Sequence, residues 1–161
     1  MKLSTTIFAL LLALPLRADT PPKAAPVFIN ADAPKAIALV KEDAAASKAD
    51  PKHIPLTILD VRTPAEFATG RLKDAKNLDS SSAAFKDDLL KLDKSKPYLV
   101  HCGGGGRSSK ARDLLKSLGF TKVTHLDGGL KAWTKAGGPV VEGDKPAAAP
   151  APPAPAIEPK K

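Results

Sequence analysis

The sequence predicts an α/β domain in which a mostly parallel sheet carries helices on both faces. Short apolar runs, typical of buried strands, alternate along the chain with helical patterns. A glycine-rich turn joins one of these runs directly to a helix, as is usual where a strand of such a sheet ends. With 161 residues, the chain has room for one domain of about 100–150 residues and little more.

Four strands are predicted from the apolar runs. Residues 56–61 and 98–101 have the pattern of short strands buried on both faces. Residues 75–78 and 123–126 show weaker versions of the same pattern. In a parallel sheet the polar side chains that follow strands gather at one edge, where ligands bind. We therefore expect Asp60, Cys102 and Asp127 at that edge.

Four helices are predicted from apolar stripes and from signals at their ends. The segment Thr63-Pro64-Ala65-Glu66 is a capping box, with proline at the first helical position and glutamate at the third. The other three predicted helices are residues 33–47, with Ile37 and Val40; a helix that begins at Ser81 or Ser82 and carries Phe85, Leu89 and Leu92; and residues 107–118, with Ala111, Leu114, Leu115 and Leu118 on one stripe before Gly119.

The two ends of the chain are predicted to lie outside the folded domain. Residues 1–18 have a basic start and a short apolar stretch, which predict a cleaved signal peptide and export to the periplasm or the cell exterior. That stretch is shorter than the roughly 20 residues of a membrane-spanning helix, so we expect no stable membrane insertion after cleavage. Residues 19–26 are predicted to be a linker and 27–143 the folded domain. Residues 144–161, rich in proline and alanine, predict a disordered tail.

Composition excludes several classes of site. A single cysteine excludes an internal disulfide framework and a cysteine-rich metal site, and the three histidines share no ligand spacing. We therefore expect no metal and assign each histidine a structural or exposed position. The formal net charge of +8 favours small anions or acidic surfaces as partners. Nucleic-acid binding is not expected, because no basic-aromatic motif accompanies that charge.

One segment carries the chemistry of the chain. It consists of Cys102, Gly103, Gly104, Gly105, Gly106, Arg107 and Ser108, and it directly follows the predicted strand 98–101. Glycines let successive backbone N–H groups approach a bound anion, and the start of a helix adds partial positive charge. A thiol in such a ring has a lowered pKa and reacts as a thiolate. We therefore predict that Cys102 is the catalytic nucleophile and that the other six residues bind the substrate anion.

Other glycine-loop motifs do not fit this spacing. A nucleotide P-loop requires Gly-Lys-Ser/Thr, and here Arg107 and Ser108 follow the last glycine. The dinucleotide-binding motif requires a third glycine, and Ser108 or Ser109 stands at that position here. A serine-hydrolase elbow would need glycines two residues to either side of Ser108 or Ser109, and neither serine has them.

Four segments in this order resemble the rhodanese-homology domain of the single-domain thiosulfate sulfurtransferase type. They are residues 59–67, residues 70–78, the loop 102–107, and residues 127–133 with 138–140. The resemblance implies a rhodanese-like fold without a cofactor. It also implies that Cys102 takes the outer sulfur of a donor such as thiosulfate and passes it, as a persulfide, to a thiol or to cyanide. The donor is thus a small sulfur-containing anion, and the acceptor a thiol or a carrier protein.

The resemblance also implies roles for residues around the loop. Arg62 and Glu66 are expected to form a structural ion pair, with Asp60 buried near the site and Trp133 in the core. Related phosphatases have a loop one residue longer, so the four residues between Cys102 and Arg107 favour sulfur transfer. The loop also lacks the basic or polar side chain common in family members active on thiosulfate, which predicts weak thiosulfate affinity.

Two alternatives use the same fold differently. The first is a non-enzymatic binding or thiol-redox module that uses Cys102. The absence of a second cysteine argues against an autonomous dithiol cycle, so a partner thiol would be required. The second is an inert docking domain, against which the retained cysteine argues.

Overall fold

The computed structural model describes residues 25–142. The predicted signal peptide, residues 19–24 of the predicted linker and the predicted tail lie outside the described residues. No helix between residues 25 and 142 is long and apolar enough to cross a membrane. The elements run in the order β1 (Val27–Ala31), α1 (Ala33–Ala49), β2 (Thr57–Asp60), α2 (Pro64–Thr69), β3 (Arg71–Leu72), β4 (Lys76–Asn77), α3 (Phe85–Leu90), β5 (Pro97–His101), α4 (Gly106–Ser117), β6 (Lys122–Leu126), α5 (Gly129–Lys135) and β7 (Val140–Val141).

Five strands form one parallel sheet in the order β1-β6-β5-β2-β4, which confirms the predicted fold class. Asp60, the last residue of β2, pairs with His101 of β5 on one side and with Asn77 of β4 on the other. The carboxyl ends of β4, β2 and β5 therefore lie side by side, next to the start of the glycine loop. A separate antiparallel pair, β3 with β7, joins residue 71 to residue 141.

The sheet separates two hydrophobic clusters, because successive side chains of a strand point to opposite faces. Leu59 and Val100 pack beneath α3 and α4, whereas Ile58 and Leu99 pack beneath α1 and α5. The predicted placement of helices on both faces is therefore confirmed. Trp133 of α5 is buried in the second cluster, as expected, and its indole N–H donates to the carbonyl of Pro139 at 3.0 Å.

Strand β1 has no counterpart among the predicted strands. It lies at the edge of the sheet and pairs only with β6. Its apolar residues Val27 and Ile29 are 47% and 48% exposed. An edge strand buries fewer side chains than a central one, so its sequence gives a weaker pattern.

Helix α3 begins later than predicted, at Phe85 instead of Ser81 or Ser82. The serines are used in turns: Asp79 Oδ1 accepts from Ser81 N at 2.8 Å, and Ser82 Oγ accepts from Ala84 N at 3.2 Å. Asp and Ser side chains that bond nearby backbone in this way compete with helix formation. The predicted stripe partner Leu92 lies beyond the end of α3 but still packs on the same core.

Candidate active site

The predicted loop connects β5 to α4 at the carboxyl edge of the sheet. Cys102 follows the last residue of β5, and α4 begins at Gly106. Only one of the loop's four glycines has a backbone that requires glycine: Gly105 has φ +98°, and a Cβ there would lie 3.1 Å from the backbone nitrogen of Gly128. A Cβ at Gly104 or Gly106 would meet nothing within 4 Å. The loop is therefore open where side chains are missing.

The sulfur of Cys102 lies at the floor of this loop, with the residue only 1% exposed. It accepts hydrogen bonds from Gly105 N at 3.1 Å and from Ser108 Oγ at 3.4 Å. Burial raises the pKa of the thiol, but the Ser108 hydroxyl and the N–H groups of Ser108, Gly104 and Gly105 together lower that pKa below its ordinary value. The loop thus favours a thiolate at Cys102.

Arg107 closes the loop through a two-pronged ion pair with Glu66. Its guanidinium nitrogens lie 2.7 and 2.6 Å from the two carboxylate oxygens. The hydrogen bond from Arg107 is the largest cause that holds the pKa of Glu66 at about 2, against an ordinary value of 4.5. Glu66 also completes the predicted capping box with Thr63, which the structure confirms. Arg107 therefore fastens the loop to α2.

The expected ion pair between Arg62 and Glu66 is wrong. Arg62 turns instead to Asp60, with Nε 2.9 Å from both carboxylate oxygens, and its Nη2 donates to the carbonyl of Gly70 at 2.6 Å. Asp60 is fully buried, as expected, and a buried carboxylate needs a close cationic partner. Nε2 of His101 lies 3.7 Å from Asp60 without a hydrogen bond, and burial is the main cause that lowers the pKa of this histidine.

The start of α5 supports the loop from the other side. Leu130 N donates to the carbonyl of Cys102 at 2.7 Å, and Lys131 N donates to the carbonyl of Gly103 at 3.1 Å. These contacts require Gly129, which has φ +57° and whose Cβ would lie 2.3 Å from the oxygen of Cys102. The two glycines after Asp127 were visible in the sequence, but their contact with a loop so distant along the chain was not.

Asp127 and Arg71 do not reach the thiol. Asp127 lies at the predicted edge, is exposed and accepts from Gly128 N at 3.0 Å. The guanidinium of Arg71 stacks over the ring of Phe67, 4.7 Å from its centroid. The positive charge of Arg107 is already balanced by Glu66. The attraction of the loop for an anion therefore depends mainly on backbone N–H groups and the start of α4.

Sequence reasoning missed the part that His125 plays in the site. This buried histidine lies behind the loop, where its Nε2 is 3.0 Å from Ser108 Oγ and 3.1 Å from the carbonyl oxygen of Gly105. The only signal in the sequence is a histidine inside a strand pattern, which does not identify its neighbours. Within residues 25–142, no three His, Cys, Asp or Glu residues are grouped so as to hold a metal ion.

A groove lies next to Arg107, the last residue of the loop. It lies between α3 and α4, has a volume of about 390 Å³, and is lined by Phe85 and by the cationic side chains of Arg107 and Lys110, among others. A reactant held there would be adjacent to the end of the loop. The groove combines apolar side chains with the positive charge of Lys110, since that of Arg107 is balanced by Glu66, and such a lining suits a small organic anion.

Comparison with known proteins shows which family the chain resembles. The family model for the rhodanese-like domain matches residues 40–136. A sulfurtransferase of Allochromatium vinosum is 33% identical over 84 residues, which cover 52% of this chain and 77% of that protein. The thiosulfate sulfurtransferase GlpE of Pseudomonas putida is 37% identical over 76 residues, which cover 47% of this chain and 67% of that protein.

A solved structure gives the same result for the fold. A rhodanese-related protein from Thermoplasma volcanium superimposes with a TM-score of 0.55 at 28% identity. The match covers 70% of this chain and 97% of that protein. This similarity confirms the expected rhodanese-like fold.

Proposed function

This chain belongs to the rhodanese-like domain family of sulfurtransferases, and from that membership we propose that it moves sulfane sulfur from thiosulfate to a thiol through a persulfide on Cys102. The observation that carries this proposal is the environment of the thiol. Its sulfur accepts two hydrogen bonds at the floor of a loop that favours the thiolate. The four residues between Cys102 and Arg107 give the loop a length that suits binding of the terminal sulfur of a persulfide.

In the first half-reaction, the Cys102 thiolate attacks the outer sulfur of thiosulfate. A sulfur–sulfur bond forms to Cys102 while the bond to the sulfonate sulfur breaks, and sulfite leaves with the electron pair. The outer sulfur remains as a negatively charged persulfide. Backbone N–H groups around the open loop stabilise that charge, in the manner of other preorganised anion sites.

In the second half-reaction, an acceptor thiolate attacks the outer sulfur of the persulfide. The new bond joins the acceptor to that sulfur, and the electron pair of the broken bond returns to Cys102 as a thiolate. The hydrogen bonds from Gly105 N and Ser108 Oγ stabilise this leaving group. Cyanide replaces the thiol in an assay and leaves as thiocyanate, so no external oxidant or reductant is needed.

The acceptor is proposed to be a small thiol or a thiol on a carrier protein. The loop rim carries no side chain at Gly104 or Gly106, and a Cβ at either position would meet nothing within 4 Å, so an acceptor thiol has room to approach there. The groove beside Lys110 would receive the rest of a small anionic acceptor. The same bare rim supports the proposal that thiosulfate itself binds weakly, since it places no cation of its own next to the incoming anion.

We further propose that the protein acts outside the cytosol, on the basis of residues 1–18. An exported thiolate is exposed to oxidation, so a reducing partner would be needed to keep Cys102 active. Cell fractionation followed by N-terminal sequencing tests this proposal. Recovery of a shortened chain in the periplasm or medium supports export, and an intact chain in the cytosol overturns it.

Steady-state turnover tests the proposed reaction. Purified protein should release sulfite and thiocyanate in equal amounts from thiosulfate and cyanide, with a high KM for thiosulfate. Cys102→Ser should abolish turnover while keeping the fold. As a matched control, Ser117→Ala changes an exposed serine at the far end of α4 and should leave turnover unchanged. Equal turnover in Cys102→Ser and wild type would refute the proposal.

A further inference from the structure

The buried imidazole of His125 contacts Gly105 and Ser108, the two residues that donate hydrogen bonds to the sulfur of Cys102. Its residue is only 4% exposed, yet no element of the proposed reaction uses it. Nε2 lies 3.1 Å from the carbonyl oxygen of Gly105 and 3.0 Å from Ser108 Oγ. Nδ1 is buried and has no hydrogen-bond partner within the described part of the chain.

These contacts select one tautomer of the ring. The carbonyl of Gly105 can only accept a hydrogen bond, so the nitrogen that faces it must carry the proton. With the proton on Nε2, the single N–H of the ring is shared between Gly105 O and Ser108 Oγ. Only a lone pair at Nδ1 is then left without a partner. The other tautomer would bury an unpaired N–H at Nδ1 and place a lone pair against the carbonyl of Gly105, and orphaned buried N–H groups are rare.

The tautomer of His125 then fixes the direction of the Ser108 hydroxyl. That hydroxyl has one proton and three neighbours: Cys102 Sγ at 3.4 Å, Gly105 O at 3.0 Å and His125 Nε2 at 3.0 Å. A protonated Nε2 cannot accept the proton. The two lone pairs of the Gly105 oxygen already face two donors, Ser109 N at 2.9 Å and the protonated Nε2 at 3.1 Å. The sulfur is the acceptor that remains.

We propose that His125 is a positioning residue that turns the Ser108 hydroxyl proton towards the sulfur of Cys102. The effect matters whenever this sulfur carries negative charge, both when the thiolate attacks the donor and when the acceptor displaces it from the persulfide. His125 does not touch the reacting atoms and acts through Ser108. The inference rests on the proposed function, since it takes Cys102 as the reacting thiol.

Several other charged or titratable groups surround the loop and stay unchanged in the variants below. A difference in thiol pKa between two variants therefore does not come from the removal of any of these charges. These groups are Asp60 at the end of β2, Arg62 after β2, Glu66 on α2, His101 on β5, Arg107 and Arg112 on α4, and Asp127 after β6.

A double-mutant cycle on the full-length protein tests the proposal. The rate of Cys102 alkylation by iodoacetamide is followed against pH in wild type, His125→Leu, Ser108→Ala and the double variant. Since hydrogen bonds to charged groups are among the stronger ones, each single change should raise the thiol pKa by about one pH unit, or about tenfold in thiolate fraction at acidic pH. The double variant should match Ser108→Ala, because His125 acts only through the serine.

Rescue and tautomer measurements separate positioning from a structural role. His125→Gln keeps an N–H at the same reach and should recover most of the wild-type pKa. His53→Gln serves as a control, because His53 pairs with Asp43 away from the loop. Independently of any variant, nitrogen-15 NMR of the wild-type histidines should show His125 protonated on Nε2.

Three outcomes would overturn the inference: an unchanged thiol pKa in His125→Leu, an equal shift with and without Ser108, or a proton on Nδ1. If His125→Leu does not fold, the NMR result alone decides. Each of these outcomes leaves the proposed function intact, whereas a Cys102 that alkylates slowly in wild type with an ordinary pKa contradicts the function instead.

Discussion

Replacing Gly129 by alanine tests how the start of α5 supports the reactive loop. A Cβ at this position would lie 2.3 Å from the carbonyl oxygen of Cys102, whereas real Cβ atoms stay at least 3.0 Å away. The loop and α5 must therefore separate by at least 0.7 Å (3.0 minus 2.3). A movement of that size along the bond would stretch the hydrogen bond from Leu130 N, now 2.7 Å, to about 3.4 Å, beyond its usual range.

The cost can be worked out from these contacts. Alanine in the left-handed region costs about 1–2 kcal/mol. Two weakened hydrogen bonds, from Leu130 N and Lys131 N, add about 0.5–1.5 kcal/mol each. Part of the clash remains as local strain. We therefore expect Gly129→Ala to lower the free energy of unfolding by about 3–5 kcal/mol.

Gly137→Ala is a matched control at the other end of the same helix. Gly137 also has a positive φ, +76°, but a Cβ there would meet nothing within 4 Å. It should therefore show the backbone cost alone, about 1–2 kcal/mol, with an unchanged active site. The comparison isolates the contact between α5 and the loop.

Urea unfolding gives the two stabilities, and the rate of Cys102 alkylation reports the state of the loop. Gly129→Ala should be the less stable variant by about 2 kcal/mol or more, and its thiol should lose its lowered pKa as the ring of donors opens. If the two variants are equally stable and Cys102 reacts as in wild type, the reasoning about α5 is refuted.

Three further predictions concern the charges of the site. Gly103→Arg has room for its Cβ, since the nearest atom, Arg107 Nη2, is 3.7 Å away. The added charge should lower the KM for thiosulfate about three- to tenfold, and the effect should weaken as salt is added. An equally lowered KM in Gly103→Met, which adds no charge, would contradict this prediction. Because the pKa of Glu66 is about 2 in the folded chain and 4.5 otherwise, its ion pair contributes stability above pH 4.5 that is lost as pH falls towards 2. Since the side chains of both partners are 40% exposed, solvent screening limits this contribution to about 1 kcal/mol. The difference in the free energy of unfolding between wild type and Glu66→Gln should therefore shrink as pH falls from 4.5 towards 2. A difference that stays constant would count against the prediction. Asp60→Asn leaves the guanidinium of Arg62 buried without its counter-charge and should cost about 3–5 kcal/mol in urea unfolding, so a loss as small as that of Glu66→Gln would argue against a buried pair.

The features that could be predicted from the sequence are those decided by neighbouring residues. The capping box needs only Thr63 and Glu66, three positions apart, and it forms as expected. The central strands β2 and β5 are buried on both faces, so their apolar runs are continuous. The glycine loop was recognisable because a cysteine stands between a strand and a helix. Strand β1, exposed at an edge, carried no comparable signal.

Ion pairs and hydrogen bonds across the fold could not be predicted in this way. The family resemblance implied a pair between Arg62 and Glu66, but Arg62 precedes α2 and its side chain pairs with buried Asp60. Glu66 then pairs with Arg107, 41 residues away. In the same way, His125 meets Ser108 across 17 residues. Only the folded sheet brings these partners together.

The central claim is that Cys102 carries a persulfide, and intact mass spectrometry of the purified protein after incubation with thiosulfate tests it most directly. The account predicts a gain of about 32 Da, the mass of one sulfur atom, that cyanide removes and that Cys102→Ser does not acquire. A protein that gains no sulfur from thiosulfate, 3-mercaptopyruvate or polysulfide would contradict the account and favour a binding or thiol-redox role for Cys102.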